Sequence, residues 1–334
     1  MDTISVGVDI AKATFTAALW QAEHVEELGT FPNTADGYGA LQQALARRPA
    51  APAAVQLTVE PTGGYELGLA HWAYAQGWRV SCPNPRQVRE WAAGLGRRAK
   101  TDRQDAVVLA HYGAERQPPA WQPWRTELSE LDSLLRRKDE LTGLLHQERM
   151  REQALRARPG IAGAVRGSIT RLIEALEEEL REIEQAIGAR QRTTTLAPVV
   201  ARLQTVPGVG PTTALPLLVL LERWDQLTHG RGDPKGLVAY VGLDPQPYES
   251  GTSVRRRAAI SRQGNRRLRA RLYMAALGGI RGDNPLRHFY DRLVGRHKAK
   301  KLALVAAARK LLVWAWAVYY SQQPFDAARV ARPA

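Results

Sequence analysis

The segment Ile4-Ser5-Val6-Gly7-Val8-Asp9-Ile10 decides the fold of the first part of the chain. Apolar side chains alternate there with small or polar ones, the period of two expected of a β-strand with one face in a core. Asp9 falls on the face opposite Val6, Val8 and Ile10. A carboxylate within a strand is unfavourable for β-structure unless something binds it. We therefore predict a half-buried strand that carries a functional acid.

The segments that follow this strand predict an α/β fold. The predicted elements are strands over 14–19 and 25–31, a helix over 36–47, a strand over 54–59, a helix over 65–76, a strand over 79–82 and a helix over 103–115. Strands followed by alternating strands and helices are typical of an α/β domain.

Three further acids stand where α/β folds place their active sites. Glu60 follows the predicted strand 54–59 and precedes a turn with two glycines, and ligands bind at the carboxyl ends of such strands. Asp102 and Asp105 are three residues apart at the start of a predicted helix, so their side chains share a face. With Asp9 they supply hard oxygen ligands of the kind that Mg²⁺ or Mn²⁺ binds.

Each acid also has an ordinary structural explanation. Asp9 could cap a turn, and Glu60 could lie on the surface. Asp102 could be the N-cap of its helix while Asp105 interacts with the helix dipole. These explanations suit any one acid alone. The four together, in strand, strand and helix contexts, favour a metal site.

The middle of the chain has the pattern of long helices. Two leucine- and isoleucine-rich seams are separated by Pro159-Gly160, and the second has the spacing of four and three that is typical of a coiled coil. Its members are Ile169, Ile173, Leu176, Leu180, Ile183 and Ile187. Two such helices could pair with each other or with another subunit, and the sequence favours neither arrangement.

The remainder, from Leu196, is predicted to be mostly helical and contains the turn Val206-Pro207-Gly208-Val209-Gly210-Pro211. Glycines at a helix start let backbone amides approach a phosphate, as in helix-hairpin-helix modules. Gly208 and Gly210 are therefore candidate nucleic-acid contacts. A plain tight turn explains them equally well.

The positive charge of the chain is concentrated in one segment. The net charge is +14, and residues 251–310 contain 17 Lys and Arg against two acids, whereas the rest of the chain is almost neutral. A block of one sign is a candidate phosphate-binding surface. Its candidate contacts are Arg255, Arg256, Arg257, Arg262, Arg266, Arg267, Arg269 and Arg271.

Composition narrows the class of protein further. The single cysteine, Cys82, excludes an internal disulfide and fits a reducing cytoplasm. The amino terminus lacks the pattern of a secretory signal. The most apolar stretch, residues 302–320, contains Arg309 and Lys310, which predicts a buried helix and no membrane partner.

Several segments in order resemble a known family. They are Gly7-Val8-Asp9-Ile10-Ala11-Lys12, Glu60-Pro61-Thr62-Gly63-Gly64-Tyr65, Lys100-Thr101-Asp102-Arg103-Gln104-Asp105-Ala106, Pro207-Gly208-Val209-Gly210, Tyr248-Glu249-Ser250-Gly251 and Ile260-Ser261-Arg262-Gln263-Gly264-Asn265. Together they resemble the DEDD-type insertion-sequence transposases and the Piv DNA invertases. The amino-terminal domain of that family is similar to the Holliday-junction resolvase RuvC. The resemblance covers nearly the whole chain.

The resemblance implies a domain organisation and a set of site residues. It implies an α/β ribonuclease-H-like (RuvC-like) catalytic domain over 1–122, a helical coiled-coil segment over 123–192 and a mainly α transposase domain over 193–334. Asp9, Glu60, Asp102 and Asp105 would be the catalytic acids that bind Mg²⁺ or Mn²⁺. Ser250 would be the nucleophile.

The resemblance also implies a reaction and its partners. A bacterial cytoplasmic enzyme would cleave and rejoin donor and target DNA through a covalent phosphoserine, guided by a non-coding bridge RNA. It would act as a homo-oligomer, a dimer or tetramer, with composite active sites. The residues by themselves do not separate Ser250 from Thr252, Ser253 or Ser261.

Other classes of protein fit parts of the pattern. A RuvC-like, structure-specific DNA nuclease would use the same acids with water as the attacking group. A nucleic-acid-binding protein without chemistry would need the basic block but no clustered acids. A sugar-kinase-like ATPase also begins with a glycine-and-aspartate strand, but the sequence has no convincing second phosphate loop.

Overall fold

The computed structural model of the protein describes residues 3–46, 51–96, 101–156, 158–193, 196–250 and 254–330. Its contacts divide the chain into two compact units, Met1–Pro123 with Gln226–Thr228, and Trp124–Asp225 with His229–Ala334. The first unit is mixed α/β, and the second is mostly helical.

The first unit is built on a twisted sheet with helices on both faces. Its elements are β1 (Ile4–Ile10), β2 (Thr14–Gln21), β3 (His24–Pro32), α1 (Ala35–Leu45), β4 (Val55–Val59), α2 (Leu67–Ala75), β5 (Arg79–Ser81), α3 (Pro85–Gly94) and α4 (Asp102–Arg116). Within the described residues the sheet has five strands in the order β3-β2-β1-β4-β5. The first three strands form an antiparallel meander, and β4 and β5 run parallel to β1 and β4. The predicted strands and the α/β class are confirmed.

Strand β1 lies at the centre of the sheet and is covered on both sides. Val6 and Val8 are fully buried in a core that α1 and α2 complete with Leu41 and Leu69. The opposite face of β1 presents Ser5 and packs against α4. Because both faces are covered, an acid at the end of β1 is held in a fixed frame.

Helix α3 is absent from the sequence-based prediction. Pro83 and Pro85 predict only a stop for the short strand before them, yet Pro85 is the first residue of the helix. The Asn84 side chain accepts a hydrogen bond from the Arg86 amide at 2.9 Å, which caps the helix. Proline suits the first helical position because its missing N–H has no partner there in any case.

The second unit is helical apart from one hairpin. Its elements are α5 (Thr126–Arg156), α6 (Gly163–Thr193), α7 (Ala197–Leu203), α8 (Pro211–Thr228), α9 (Pro234–Val241), β6 (Pro245–Ser250), β7 (Val254–Ile260), α10 (Arg266–Gly279), α11 (Pro285–Gly295), α12 (Lys300–Ser321) and α13 (Ala327–Val330). The last three residues of α8 group with the first unit. Strands β6 and β7 form an antiparallel pair that the sequence-based prediction of a mostly helical region does not include.

Helices α5 and α6 form an antiparallel hairpin. Leu141 and Leu145 of α5 are buried against Leu176 of α6. Ion pairs Lys138–Glu184 and Arg149–Glu177, each at 2.7 Å, link the same two helices. The predicted seam therefore pairs within the chain.

Helix α12 is long and apolar enough to cross a membrane by length and composition alone. More than half of its apolar window is buried in the structure, and α12 packs against α7, α9, α10 and α11. Leu311, Leu312 and Ala315 are fully buried. This is the position of a core helix, as its sequence predicts.

Candidate active site

Asp9 and Glu60 lie side by side at one edge of the sheet. Strands β1 and β4 are parallel neighbours, and their last paired residues are Val8 and Val59. Asp9 and Glu60 are each the next residue, at the carboxyl ends of their strands. Neighbouring strands are about 4.8 Å apart, so the backbone brings these two acids to one place.

Helix α4 crosses β1 on the face that carries Asp9. The Ser5 hydroxyl donates to the carbonyl of Ala110 at 2.7 Å. A Cβ at Gly7 would come within 2.1 Å of both the Ala106 carbonyl oxygen and the Ala110 amide nitrogen. As β1 advances from Ser5 to Gly7, its contact on α4 moves towards the start of the helix. The first turn of α4 therefore lies near the carboxyl end of β1, where Asp9 stands.

Strand β4 presents the same face to α4. The Gln56 side-chain amide donates to the carbonyl of Gly113 at 3.0 Å. A Cβ at Gly113 would meet Thr58 Oγ1 at 2.2 Å. Residues two apart in a strand share a face, so Glu60 follows Gln56 and Thr58 on the side of the sheet that α4 covers.

The first turn of α4 contains Asp102 and Asp105, and its cap is Thr101. Thr101 Oγ1 accepts from the Gln104 amide at 3.3 Å, and the Asp105 amide donates to the Thr101 carbonyl at 2.8 Å. The alternative in which Asp102 is the N-cap is therefore wrong. Asp102 is the first helical residue and leaves its carboxylate outside the capping interaction.

The side chains of the four acids are not drawn into a single cluster. Within the described residues, no group of three or more His, Cys, Asp or Glu side chains is arranged to hold a metal ion. Glu60, with 21% of its side chain exposed, binds Nη2 of Arg89 at 3.0 Å. Carboxylate oxygens are nevertheless the donors that suit a hard divalent cation. Arg89 is the cation that the Glu60 carboxylate binds in this structure.

Two residues that the sequence analysis missed fix the loop after Glu60. Glu66 is 8% exposed, and its carboxylate accepts from the amides of Thr62 and Gly64, each at 2.9 Å. The Asn33 side-chain amide donates to the carbonyls of Ala11 and Tyr65, at 3.1 and 3.2 Å. Asn33 thus ties the loop after β1 to the loop after β4. An Asn before a helix and a Glu at a helix start are common in any sequence, so neither stands out without the fold.

The cysteine of the first unit is not available as a nucleophile. Cys82 packs against the core, where burial, with a smaller effect of Glu66, raises the pKa of its thiol to about 12. The thiolate is the reactive form of cysteine, and it is scarce at neutral pH when the pKa is this high.

Ser250 is the last residue of β6, and Arg255, Arg256 and Arg257 lie in β7. The backbones pair Ser250 with Val254, Glu249 with Arg255 and Tyr248 with Arg256. The side chains of Ser250 and of these three arginines, with all of Thr252 and Ser253, lie outside the described residues. Their roles remain predictions.

The base of this hairpin is held by close packing. The Ser261 hydroxyl donates a hydrogen bond to the carboxylate of Asp244. A Cβ at Gly242 would come within 1.9 Å of the Gln263 carbonyl oxygen, so only glycine fits there. Ser261 therefore has a structural partner.

The predicted basic surface separates into two groups. Arg262, Arg266 and Arg267 are exposed, and Arg262 has a left-handed backbone with φ of 56°. Arg269 instead donates to the carbonyls of Val241, Gln263 and Gly264, at 2.8 to 3.1 Å. Burial, followed by the charges of Arg262 and Arg266, lowers the pKa of Arg269.

Arg271 is also engaged within the unit. Its guanidinium forms an ion pair with Asp139 of α5 and donates to the carbonyl of Thr212 at 3.0 Å. The charge of Arg271 is therefore matched by an acid. To bind nucleic acid, Arg269 or Arg271 would have to give up its bonds within the protein for bonds to phosphate.

The two candidate glycines differ in their surroundings. Gly208 has φ of +89°, and a Cβ there would lie 2.4 Å from the Ala275 carbonyl oxygen of α10. Packing against α10 thus accounts for Gly208. Gly210 immediately precedes α8, and nothing lies within 4 Å of its ideal Cβ position. Among the described residues, no packing contact explains the glycine at position 210. The phosphate contact proposed for Gly210 stays a prediction.

Comparison with known proteins identifies relatives along most of the chain. Residues 6–156 match the model of the IS110 type of DEDD transposase, described as a transposase, and residues 200–291 match the transposase IS116/IS110/IS902 family. The pilin gene-inverting proteins of Moraxella bovis and Moraxella lacunata are each 32% identical over 327 residues, or 98% of both chains. An insertion element IS110 uncharacterized protein of Streptomyces coelicolor is 34% identical over 145 residues, which are 43% of this chain and 33% of that protein.

Proposed function

The chain belongs to the DEDD transposases of insertion elements, and we propose that it is a bacterial enzyme that cuts and rejoins DNA. The observation that carries this proposal is the meeting of Asp9 and Glu60 at one edge of the sheet, with the first turn of α4 beside them. Phosphoryl transfer needs the charge of the phosphate oxygens to be neutralised, and carboxylates that bind a cation serve that purpose.

Asp9, Glu60, Asp102 and Asp105 are the residues that would hold Mg²⁺ or Mn²⁺. Such an ion would neutralise the phosphate and stabilise the transition state. Thr101 caps α4, and Asn33 and Glu66 fix the loops, so these three residues would hold the backbone that carries the acids. These residues act by position and take no part in bond making.

The proposed nucleophile is Ser250, on the strength of the family resemblance. Its hydroxyl oxygen forms a bond to phosphorus, the bond from phosphorus to one deoxyribose oxygen breaks, and the serine proton leaves as the departing oxygen gains one. The products are a DNA phosphoserine ester and a free hydroxyl end. A hydroxyl end of another strand then attacks the ester and releases Ser250. Each step exchanges one phosphate ester for another, so no nucleotide cofactor is consumed.

The proposal includes the partners of the reaction. Arg255, Arg256 and Arg257 follow Ser250 closely and would clamp phosphate oxygens, for which the guanidinium fork is suited. The resemblance extends to a structured bridge RNA that pairs with donor and target DNA, and to a ribonuclease-H-like first domain. It also extends to a homo-oligomer in the bacterial cytoplasm. The pilin gene-inverting proteins, by their name, invert a gene, which supports rejoining as well as cleavage.

The decisive experiment looks for the covalent intermediate. The full-length protein is incubated with end-labelled DNA, Mg²⁺ and candidate RNA, and the products are separated under denaturing conditions. We expect a protein–DNA band that Ser250→Ala removes and that Ser253→Ala, the same change three residues further along the chain, retains. A band lost only in Ser253→Ala would reassign the nucleophile. Cleaved DNA without any covalent band would mean that water attacks, and the protein would then be a nuclease.

A further inference from the structure

Tyr65 is a large aromatic residue whose side chain is exposed to solvent. It follows Gly64 in the loop between β4 and α2, and it is 45% exposed. Tyr38 and Tyr112 of the same unit are each 8% exposed. None of the aromatic ring contacts in the described part of the chain involves Tyr65.

The loop that carries Tyr65 is held in place around it. The Tyr65 carbonyl accepts from Asn33 at 3.2 Å, and its amide donates to the Thr62 carbonyl at 3.3 Å. The next residue, Glu66, is buried and holds the Thr62 and Gly64 amides. The exposed ring therefore stands on a fixed backbone, which lowers the entropy cost of binding a partner.

The same hydrogen bonds place Tyr65 at the acid edge, the end of the sheet where Asp9 and Glu60 lie. One amide nitrogen, Asn33 Nδ2, reaches both the Tyr65 carbonyl and the carbonyl of Ala11, two residues after Asp9. Tyr65 is also five residues after Glu60 on a tight loop. The backbone of Tyr65 is thus tied to the loops that follow both strands carrying the acids.

Three exposed cations follow, contact or adjoin the acids in the chain. Lys12 follows β1 and is exposed, and Arg89, which binds Glu60, has 67% of its side chain exposed. Arg103, on the first turn of α4, has 75% of its side chain exposed and lies 3.6 Å from the exposed carboxylate of Glu27, which a phosphate could replace. An aromatic face beside several cations is the combination that binds a nucleotide, with the base on the ring and the phosphates on the charges.

We propose that Tyr65 stacks on a nucleobase next to the phosphate that is processed at the acid edge. This inference rests on the proposed function, since it requires DNA to occupy that edge. Every base has a π face, so stacking positions the strand without reading its sequence. Tyr65 would act as a positioning residue, and the acids would act on the neighbouring phosphate.

Photocrosslinking tests this contact. Random-sequence DNA, single-stranded and duplex, carries 5-iodouracil in place of thymine and is irradiated with the full-length protein in Ca²⁺. Mass spectrometry then locates the crosslinks. We expect a crosslink at Tyr65, retained in Tyr65→Phe and lost in Tyr65→Leu. Tyr74, which is 42% exposed on α2, serves as the control, and Tyr74→Leu should leave the Tyr65 crosslink unchanged.

The affinity for single-stranded DNA supplies a second readout. Loss of one base–aromatic stack predicts about 5-fold to 150-fold weaker binding by Tyr65→Leu. The slope of affinity against salt should not change because no charge is removed. Crosslinks elsewhere in the chain with normal binding by Tyr65→Leu would overturn this inference and leave the proposed function standing. A wild-type protein that binds neither single-stranded nor duplex DNA, with or without the candidate RNA, would overturn both.

Discussion

Gly7 of β1 and Ala106 of α4 are in backbone contact, since a Cβ at Gly7 would lie 2.1 Å from the Ala106 carbonyl oxygen. The distance between the strand and the helix is therefore set by the absence of a side chain. Asp9 is two residues from one partner, and Asp105 is next to the other. The separation of these two acids depends on the same contact.

The first prediction follows from this contact. Gly7→Ala should lower the free energy of unfolding by about 1–3 kcal/mol or more, because the helix must move to accept the methyl group. It should also reduce DNA cleavage by shifting Asp105 relative to Asp9. Gly39→Ala in α1 is the control, since nothing lies within 4 Å of its ideal Cβ position and alanine favours a helix. Urea unfolding gives the measurement, and equal stability of the two variants would contradict it.

The second prediction concerns the acids. Asp9→Asn or Asp105→Asn should reduce strand cleavage by a factor on the order of a thousand, because loss of metal binding removes several kcal/mol of transition-state stabilisation. The fold should survive, since neither change alters the size of the side chain. Mg²⁺ should raise the Tm of the wild type and not that of the variants. Full activity in EDTA, or normal cleavage by either variant, would refute the metal site.

The third prediction concerns the cation that holds Glu60. Arg89→Ala should let Mn²⁺ bind up to about fivefold more tightly, because Mn²⁺ no longer has to displace Arg89 from the Glu60 carboxylate. An exposed ion pair of this kind contributes at most about 1 kcal/mol. Arg86→Ala is the matched control, since Arg86 lies on the same helix and pairs with Glu90 at 2.7 Å. A Mn²⁺ titration followed by electron paramagnetic resonance measures the affinity. Weaker binding in Arg89→Ala would mean that Arg89 supports the site.

The fourth prediction divides the basic block. Replacing Arg262, Arg266 and Arg267 by Gln should flatten the dependence of duplex DNA binding on salt by about 0.9 for each phosphate that the protein no longer neutralises. Arg269→Gln should instead reduce stability, because Arg269 donates to three backbone carbonyls. Binding isotherms over a range of salt concentrations and urea unfolding separate the effects. An unchanged salt dependence in the triple variant would place these arginines away from the bound DNA.

The fifth prediction tests whether active sites form between subunits. Ser250→Ala and Asp9→Ala should each be inactive alone. If one protomer supplies the acids and another supplies Ser250, co-assembly of the two variants restores one intact site in each mixed dimer. Random assembly would then recover about a quarter of the wild-type cleavage. If the mixture stays as inactive as the separate variants, the acids and Ser250 of each active site come from the same protomer.

The sequence predicts the frame of the first unit because its signals are local. The alternation from Ile4 to Ile10 gives the central strand, and the spacing of Asp102 and Asp105 gives a shared helix face. Helix α3 escapes prediction because Pro85 either stops a strand or begins a helix, and only the Asn84 cap decides between them. Hairpin β6–β7 escapes it because consecutive arginines obscure the strand pattern.

The roles of the second unit are less accessible to sequence because they depend on distant contacts. Arg269 and Arg267 look alike in a charge count, yet one binds carbonyls of its own chain and the other is exposed. Gly208 resembles a phosphate-binding glycine, but its neighbour in space is Ala275, 67 residues further along the chain. Side-chain identity gives the chemistry that is possible, and packing determines which part of it is used.

Gly7 also determines which substitutions this protein can accept. A Cβ at Gly7 would collide with backbone atoms of α4, whereas a Cβ at Gly113 would meet the side-chain oxygens of Thr58 and Ser5. Core positions generally tolerate volume-conserving exchange, but Gly7 has no side chain to exchange and no space for one. In a saturation library selected for recombination, Gly7 should retain glycine as strictly as Asp9 retains aspartate. A residue with no side chain would then be scored as essential, although it touches neither substrate nor metal.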